Sequence, residues 1–343
     1  MLFHAGALWR LNESGYLGRL DRVSSVSGGS IAAGVLASRW SGLRFDDGRA
    51  DNFTDEVVAP IRALAGRTLD WKAVVGALFL PGGPGNRVAA AYRRHLFGRR
   101  TLRDLPHEPR FAFNATNLQT GVLWRFERPY MADQRIGIVR DPDVPLAVAV
   151  AASSALPPFL SPLRLKLDPE KLETSAGADL HRPPYTQKAV LTDGGVYDNL
   201  GLEAAFKSFS TVLISDGGGQ MRPATRVASF WPLQLLRIAN VIDSQVRSLR
   251  KHDAIRDFLG EQWRGAYWGI GTDISHYELS DALPCDPART QELAEGSTRL
   301  AAMKDDAQER LINWGYAVCD AALRRHVNRG ITPPGAFPYP GGV

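Results

Sequence analysis

Asp21-Arg22-Val23-Ser24-Ser25-Val26-Ser27-Gly28-Gly29-Ser30-Ile31-Ala32-Ala33-Gly34-Val35-Leu36-Ala37 is the stretch on which the reading of this chain turns. Residues 21–26 predict a short strand and residues 30–37 a helix, with only Ser27-Gly28-Gly29 between them. A nucleophile elbow needs such a sharp strand-to-helix turn, which pushes a serine Oγ out of the sheet. The turn brings the residues two before and two after the serine close together, so both must be small. Gly29 meets that requirement, and Ser25 stands where a glycine is usual. The helix that follows also aims its N-terminus at Ser27, which favours negative charge there. A plain helix N-cap would use a serine at the same place, so Ser27 is a candidate nucleophile on this motif alone.

Working outward, Leu2, Phe3, Ala7, Leu8 and Leu11 share one face of a helix that stops near Gly15 and has no cap residue before it. Downstream, residues 53–66, 70–80 and 86–97 predict helices, broken by a Pro81-Gly82-Gly83-Pro84-Gly85 turn. Residues 110–127 alternate around Thr120-Gly121 and predict a hairpin. An apolar, alanine-rich helix over 145–155 runs into Pro157-Pro158, and the polar residues 165–187 read as a surface loop. Strands at 189–191 and 211–214 lead into Asp193-Gly194-Gly195 and Asp216-Gly217-Gly218. Helices follow at about 199–208, 228–258 and 305–326, and a Pro/Gly-rich tail over 329–343 is expected to be disordered. Strands alternating with helices predict an α/β domain with a largely parallel central sheet, whose site lies at the strands' carboxyl ends. Residues 1–328 are expected to form one domain, with helical insertions around 53–97 and 228–258.

A serine nucleophile needs a base. Asp193 and Asp216 both follow a strand and precede two glycines, and spacing alone does not choose between them. A carboxylate partly buried at a strand end can have its pKa raised and take a proton directly. A histidine would be the conventional third partner, and His276 comes after Asp193 in the order that suits a hydrolase triad. Other chemistries leave little trace. No His-Glu-x-x-His, paired Cys-x-x-Cys or calcium loop occurs, so no metal or other cofactor is expected. Gly82-Gly83-Pro84-Gly85-Asn86 lacks the lysine of a phosphate-binding loop. The two cysteines, Cys285 and Cys319, cannot make a disulfide framework.

The 343 residues carry 44% hydrophobic and 22% charged side chains, which excludes a disordered or fibrous chain. A net charge of +5 permits contact with an anionic membrane surface. No stripe of basic residues with base-reading motifs is present, so nucleic acid is not an expected partner. The opening residues do not form a secretory signal, and the most apolar run, 144–160, is proline-broken and too short to span a bilayer. The expected location is cytoplasmic or peripheral to a membrane. Trp71, Val74, Val75, Leu78, Phe79 and Leu80 form an apolar helical stretch that reads as core, with a lipid-facing lip as the alternative.

Together these segments resemble the patatin-like phospholipase family, over about residues 2 to 325. Phe3-His4-Ala5-Gly6-Ala7-Leu8 is similar to its first helix, and Ser24-Ser25-Val26-Ser27-Gly28-Gly29-Ser30 to its nucleophile elbow. Thr116-Asn117-Leu118-Gln119-Thr120-Gly121 resembles its central hairpin strand. Ala151-Ala152-Ser153-Ser154-Ala155-Leu156-Pro157-Pro158 resembles its helix-to-proline segment, and Asp193-Gly194-Gly195 with Asp198-Asn199 its Asp-Gly-Gly motif. The resemblance implies a three-layer α/β/α domain and a Ser27–Asp193 dyad without histidine or metal, leaving Asp216 structural. It implies hydrolysis of phospholipids or other acyl-ester lipids through an acyl-enzyme, with the Gly28 N–H as an oxyanion donor. The family's first strand and its glycine-rich oxyanion loop precede the Phe-His helix and are missing from the sequence. The reading is therefore that the true start lies upstream of Met1, and that without the loop the fold would act as a lipid- or partner-binding module with impaired catalysis. An in-frame glycine-rich segment in the upstream codons would support an upstream start, and a stop codon immediately before Met1 would refute it.

Overall fold

A computed structural model describes residues 1–67, 83–203, 209–296 and 302–343. Its helices are α1 (Leu2–Glu13), α2 (Ser27–Arg39), α3 (Ala59–Ala65), α4 (Gly83–Tyr92), α5 (Leu146–Ser153), α6 (Trp231–Leu259), α7 (Pro287–Ala294) and α8 (Asp305–His326). The strands are β1 (Arg22–Ser25), β2 (Phe45–Asp46), β3 (Arg49–Ala50), β4 (Arg110–Asn117), β5 (Val122–Phe126), β6 (Tyr130–Asp133), β7 (Gly137–Arg140), β8 (Leu163–Lys166), β9 (Leu172–Glu173), β10 (Lys188–Asp193), β11 (Thr211–Asp216) and β12 (Arg264–Gly269). The helix expected over 70–80, with its apolar stretch from Trp71 to Leu80, lies outside the described residues. So does the end of the one expected over 199–208, and its beginning forms turns.

The main sheet runs β8-β10-β4-β5-β6-β7-β9, with β1 also beside β4. Only β1–β4 is parallel within it, which corrects the expectation of a largely parallel sheet. The cause is local. Only three or four residues join β4 to β5, β5 to β6 and β6 to β7, and links that short can only make hairpins. The polar loop expected over 165–187 likewise holds the end of β8 and all of β9. Parallel pairing returns in a second sheet, β11–β12, whose connection contains the long α6. Among the described residues, β1 and β11 each have a strand on one side only.

One junction in the main sheet positions everything that follows. β5 occupies one edge of β4, and β1 and β10 share the other. β1 pairs with residues 110–113 of β4, and β10 comes from the opposite direction to pair with 115–117. The carboxyl ends of two strands therefore meet head to head at Asn114. Helices α2 and α5 pack over this region, their alanines letting them approach closely.

Most of the buried apolar side chains form a single cluster, and a smaller one gathers Leu202, Val212, Ile214 and Ala254 beneath α6. α1 lies against α8 at backbone distance, since a Cβ on Gly6 would collide with the Ile312 carbonyl and one on Gly315 with that of Phe3. Beside that contact Asp320 accepts from Arg10 Nε at 2.8 Å and from Arg324 Nε at 2.9 Å, all three buried. The tail expected to be disordered is instead packed. Asn313 of α8 donates to the carbonyls of Tyr339 and Gly342, Tyr339 meets Trp9 edge to face, and Val343 is buried. Backbone recognition by one buried asparagine fixes a segment whose composition alone reads as loose.

Candidate functional site

Ser25 is the last residue of β1 and stands opposite Phe113 of β4. Continuing two residues along that register brings Ser27 level with Ala115, and Ala115 is the partner of Asp193. The head-to-head ends of β1 and β10 thus bring Ser27 and Asp193 together. Ser27 holds φ at +52°, a left-handed conformation that a serine seldom adopts. Val26 before it is extended, with φ −138° and ψ 152°, so the chain turns from strand to helix at Ser27. That is the geometry of an elbow, where strain is concentrated at one residue.

The small flanking residues are explained by their surroundings. Ser25 Oγ donates to the Ala112 carbonyl of β4 at 3.1 Å. It also accepts from Ser30 Oγ, which in turn meets Ser153 Oγ of α5 at 2.8 Å. A serine at the first small position of the elbow therefore ties β1, β4, α2 and α5 together, which a glycine could not do. Gly29 faces His4, and the main-chain nitrogen of Met1 lies 3.2 Å from where a Cβ on Gly28 would be. The N-termini of α1 and α2 thus converge beside Ser27. N–H groups in the first turn of a helix favour negative charge beside them.

Asp193 ends β10 and is buried. Its backbone is clamped, with N–H donating to the Ala155 carbonyl at 3.0 Å and C=O accepting from Thr116 Oγ1 at 2.9 Å. Of its carboxylate oxygens, Oδ1 accepts from the Gly195 N–H at 2.8 Å, and Oδ2 is buried without a hydrogen-bond partner. Burial raises the carboxyl pKa to about 6, against smaller lowering influences from the Gly195 N–H and the Ser27 hydroxyl. Gly194 must be glycine, since a Cβ there would collide with the Asn114 carbonyl at the strand junction.

Asp216 looks the same as Asp193 in sequence and is different in space. Its Oδ2 accepts from Tyr267 OH and its Oδ1 from the Gly218 N–H, both at 2.9 Å. Both oxygens are in use, on a strand of the other sheet. His276 is exposed on the turn after β12, beside Asp273, and the charged groups bearing most on Asp193 are Asp243 and Arg247 of α6, not a histidine.

Several residues at this site escaped the sequence reading. Asn114 Nδ2 donates to Ser24 Oγ at 2.9 Å and to the Ser25 carbonyl at 3.0 Å, holding the end of β1 in place. The signal was present, an asparagine buried in the middle of the apolar run Phe111-Ala112-Phe113-Asn114-Ala115. Tyr92, from α4, meets Ser154 Oγ at 3.3 Å and has its pKa raised to about 12 by burial and, less strongly, by Asp193. His4, singled out in the sequence only as part of the family-like first helix and given no role there, meets Ser215 Oγ at 2.9 Å and is held near a pKa of about 3 by burial.

No curated protein matches the chain at a significant level. The family model described as patatin-like phospholipase matches residues 1–206, which include the elbow, the strand junction and the Asp-Gly-Gly turn. That match covers more than half of the 343 residues, and the chain belongs to the patatin-like phospholipase family.

Proposed function

We propose that this chain is a lipid acyl hydrolase in which Ser27 is the nucleophile and Asp193 the base. Family membership suggests hydrolysis of lipid esters in general. The observation that carries the finer reading is a serine at φ +52° beside a buried carboxylate whose Oδ2 has no hydrogen-bond partner. Ser27 Oγ attacks the ester carbonyl as its proton passes to Asp193 Oδ2. The tetrahedral intermediate carries an oxyanion beside the first turn of α2, where the Gly28 N–H is a candidate donor worth roughly 3–4 kcal/mol of barrier. Its collapse breaks the acyl–oxygen bond, and Asp193 returns the proton to the departing alcohol. Water then attacks the acyl-enzyme as the same carboxylate takes its proton, the bond between the acyl carbon and Ser27 Oγ breaks, Asp193 returns the proton to Oγ, and the fatty acid leaves. A carboxyl with a pKa of about 6 is basic enough for this near neutrality without an imidazole.

The test is hydrolysis of a lysophospholipid and of a soluble short-chain ester across pH. Asp193 acts in its ionised form, so kcat/KM should rise with pH through a midpoint near 6 and then level off. Ser27→Ala and Asp193→Asn should each lower it at least a hundredfold. A folded chain that binds lipid with no turnover at any pH would favour the binding-module reading instead. A midpoint near 4 would remove Asp193, as found here, from the role of base.

A further inference from the structure

α6 is 29 residues long, and Ala254 alone of them is fully buried. Its second half is fixed to the molecule. Arg250 donates to the Tyr197 carbonyl at 2.9 Å and contacts Asp198 at 3.3 Å, Arg247 donates to the Gly219 carbonyl, and Ala254 enters the smaller core. Its first half is different. Trp231, Leu235, Ile238 and Ile242 follow at spacings of four, three and four, which puts them on one side of the helix, and Leu249 continues the same line. All five are exposed, Trp231 to 69% and Ile242 to 58%, and Phe230 just before the helix to 63%. Apolar side chains aligned and exposed over that length are more than the scattered surface leucines of an ordinary protein.

We propose that this half of α6 is a docking element that lies in the interface of an anionic phospholipid membrane. Charge selects that occupant. Between Asp216 and Asp243 the chain has no acidic residue and three arginines: Arg222, which lies 3.5 Å from Glu295, and Arg226 and Arg237, on which this selection rests. A second copy of the chain would set these arginines against one another across a symmetric helix pair, whereas anionic headgroups complement them. Phe230 and Trp231 at the helix start suit the headgroup level, where aromatic rings favour an amphipathic boundary. No helix among the described residues is long and apolar enough to cross a membrane, so α6 would lie on the surface.

The element is also joined to the candidate site. Asp243 and Arg247, one turn apart where the exposed half ends, are the charges that bear on Asp193. Arg250 grips the carbonyl of Tyr197, four residues past that aspartate. Exposed Leu156 and Val196 flank the same aspartate, since its N–H bonds Ala155 and Val196 follows the Gly-Gly turn. A membrane held by α6 would therefore meet apolar side chains next to the dyad. The inference deepens the hydrolase reading by naming where the substrate surface sits, yet its test is binding and needs no turnover.

The experiment is flotation of the full chain carrying Ser27→Ala with vesicles of phosphatidylcholine alone or mixed with phosphatidylglycerol. Stronger partition onto the mixed vesicles is expected, falling at least tenfold when Trp231→Glu and Ile238→Glu are introduced together. Both positions are exposed, so an unchanged melting temperature is the control for folding. Equal partition of parent and variant, or no preference for the anionic vesicles, would overturn the proposal. So would a dimer in sedimentation that the same substitutions dissolve without any vesicle binding. Turnover is measured separately on the chain with Ser27 intact, and vesicle binding together with no ester hydrolysis by that chain would uphold the docking element and sink the hydrolase reading. Ester turnover with no vesicle binding would do the reverse.

Discussion

At Asp193 two requirements conflict, and the carboxylate shows which one prevails. A buried carboxyl without a cation is costly to ionise, which is why its pKa rises from 3.8 to about 6. The folded state then holds its proton more tightly than the unfolded chain does. Stability from this group is full below pH 4 and is lost as pH rises through 6, by about 3 kcal/mol for a displacement of that size. Asp193→Asn keeps an acceptor for the Gly195 N–H and cannot ionise. We expect it to melt higher than the parent at pH 8 and about level with it at pH 4, a gain of about 1–3 kcal/mol by chemical denaturation, while turnover is lost. A lower melting temperature at pH 8 would show that the carboxylate is stabilised by something other than the surroundings described here. Sequence showed the residue types at this scale because elbow and Asp-Gly-Gly turn are local. Local spacing could not separate Asp193 from Asp216, and only the family resemblance did, since the difference is a tyrosine on β12, 51 positions beyond Asp216, that occupies one carboxylate and leaves the other alone.

At the scale of elements, the site exists because β1 and β10 end against each other on one edge of β4. Asn114 sits at that junction and bonds the end of β1. Asn114→Ala would leave the Ser25 carbonyl without its donor, at a cost of about 1–3 kcal/mol. As a residue that positions Ser27 without touching substrate, it should lower kcat at least tenfold with KM within about twofold. A variant that raised KM alone would assign Asn114 to binding. The first hairpin and several helices were legible, with α8 matching its expected 305–326 at both ends, because their periodicity is written into adjacent residues, whereas residues 199–203 form turns where a helix was expected and α7 was not foreseen. Strand direction was not. Alternation of strands and helices suggested a parallel sheet, and β6 and β7, four residues each with short links, carry too little pattern to announce the hairpins that turn the sheet antiparallel.

At the scale of the molecule, α8 lies outside the family-matched residues 1–206 and yet supports them. It holds α1, whose N-terminus stands beside Gly28 and whose His4 faces Gly29. The buried Arg10–Asp320–Arg324 cluster locks the two helices at that contact. Asp320→Ala would remove the carboxylate that Arg10 and Arg324 share, leaving Arg324 with Asp281 and Arg10 with the Thr332 carbonyl and Glu13, and we expect a loss of about 1–3 kcal/mol in denaturant unfolding. Esterase activity should fall at a correspondingly lower temperature. A loss under 1 kcal/mol would mean that α1 is held by apolar packing alone. This long-range support was invisible in sequence, because 310 residues separate Arg10 from its partner.

The account stands on an activated Ser27, and a fluorophosphonate probe reads that directly. The chain is reacted with the probe and the adduct mapped by peptide mass spectrometry. Labelling at Ser27 in the parent, absent from Asp193→Asn and retained in Asp216→Asn, is the predicted result. No labelling of a chain shown to be folded, or labelling of Ser27 that persists without Asp193, would contradict the dyad.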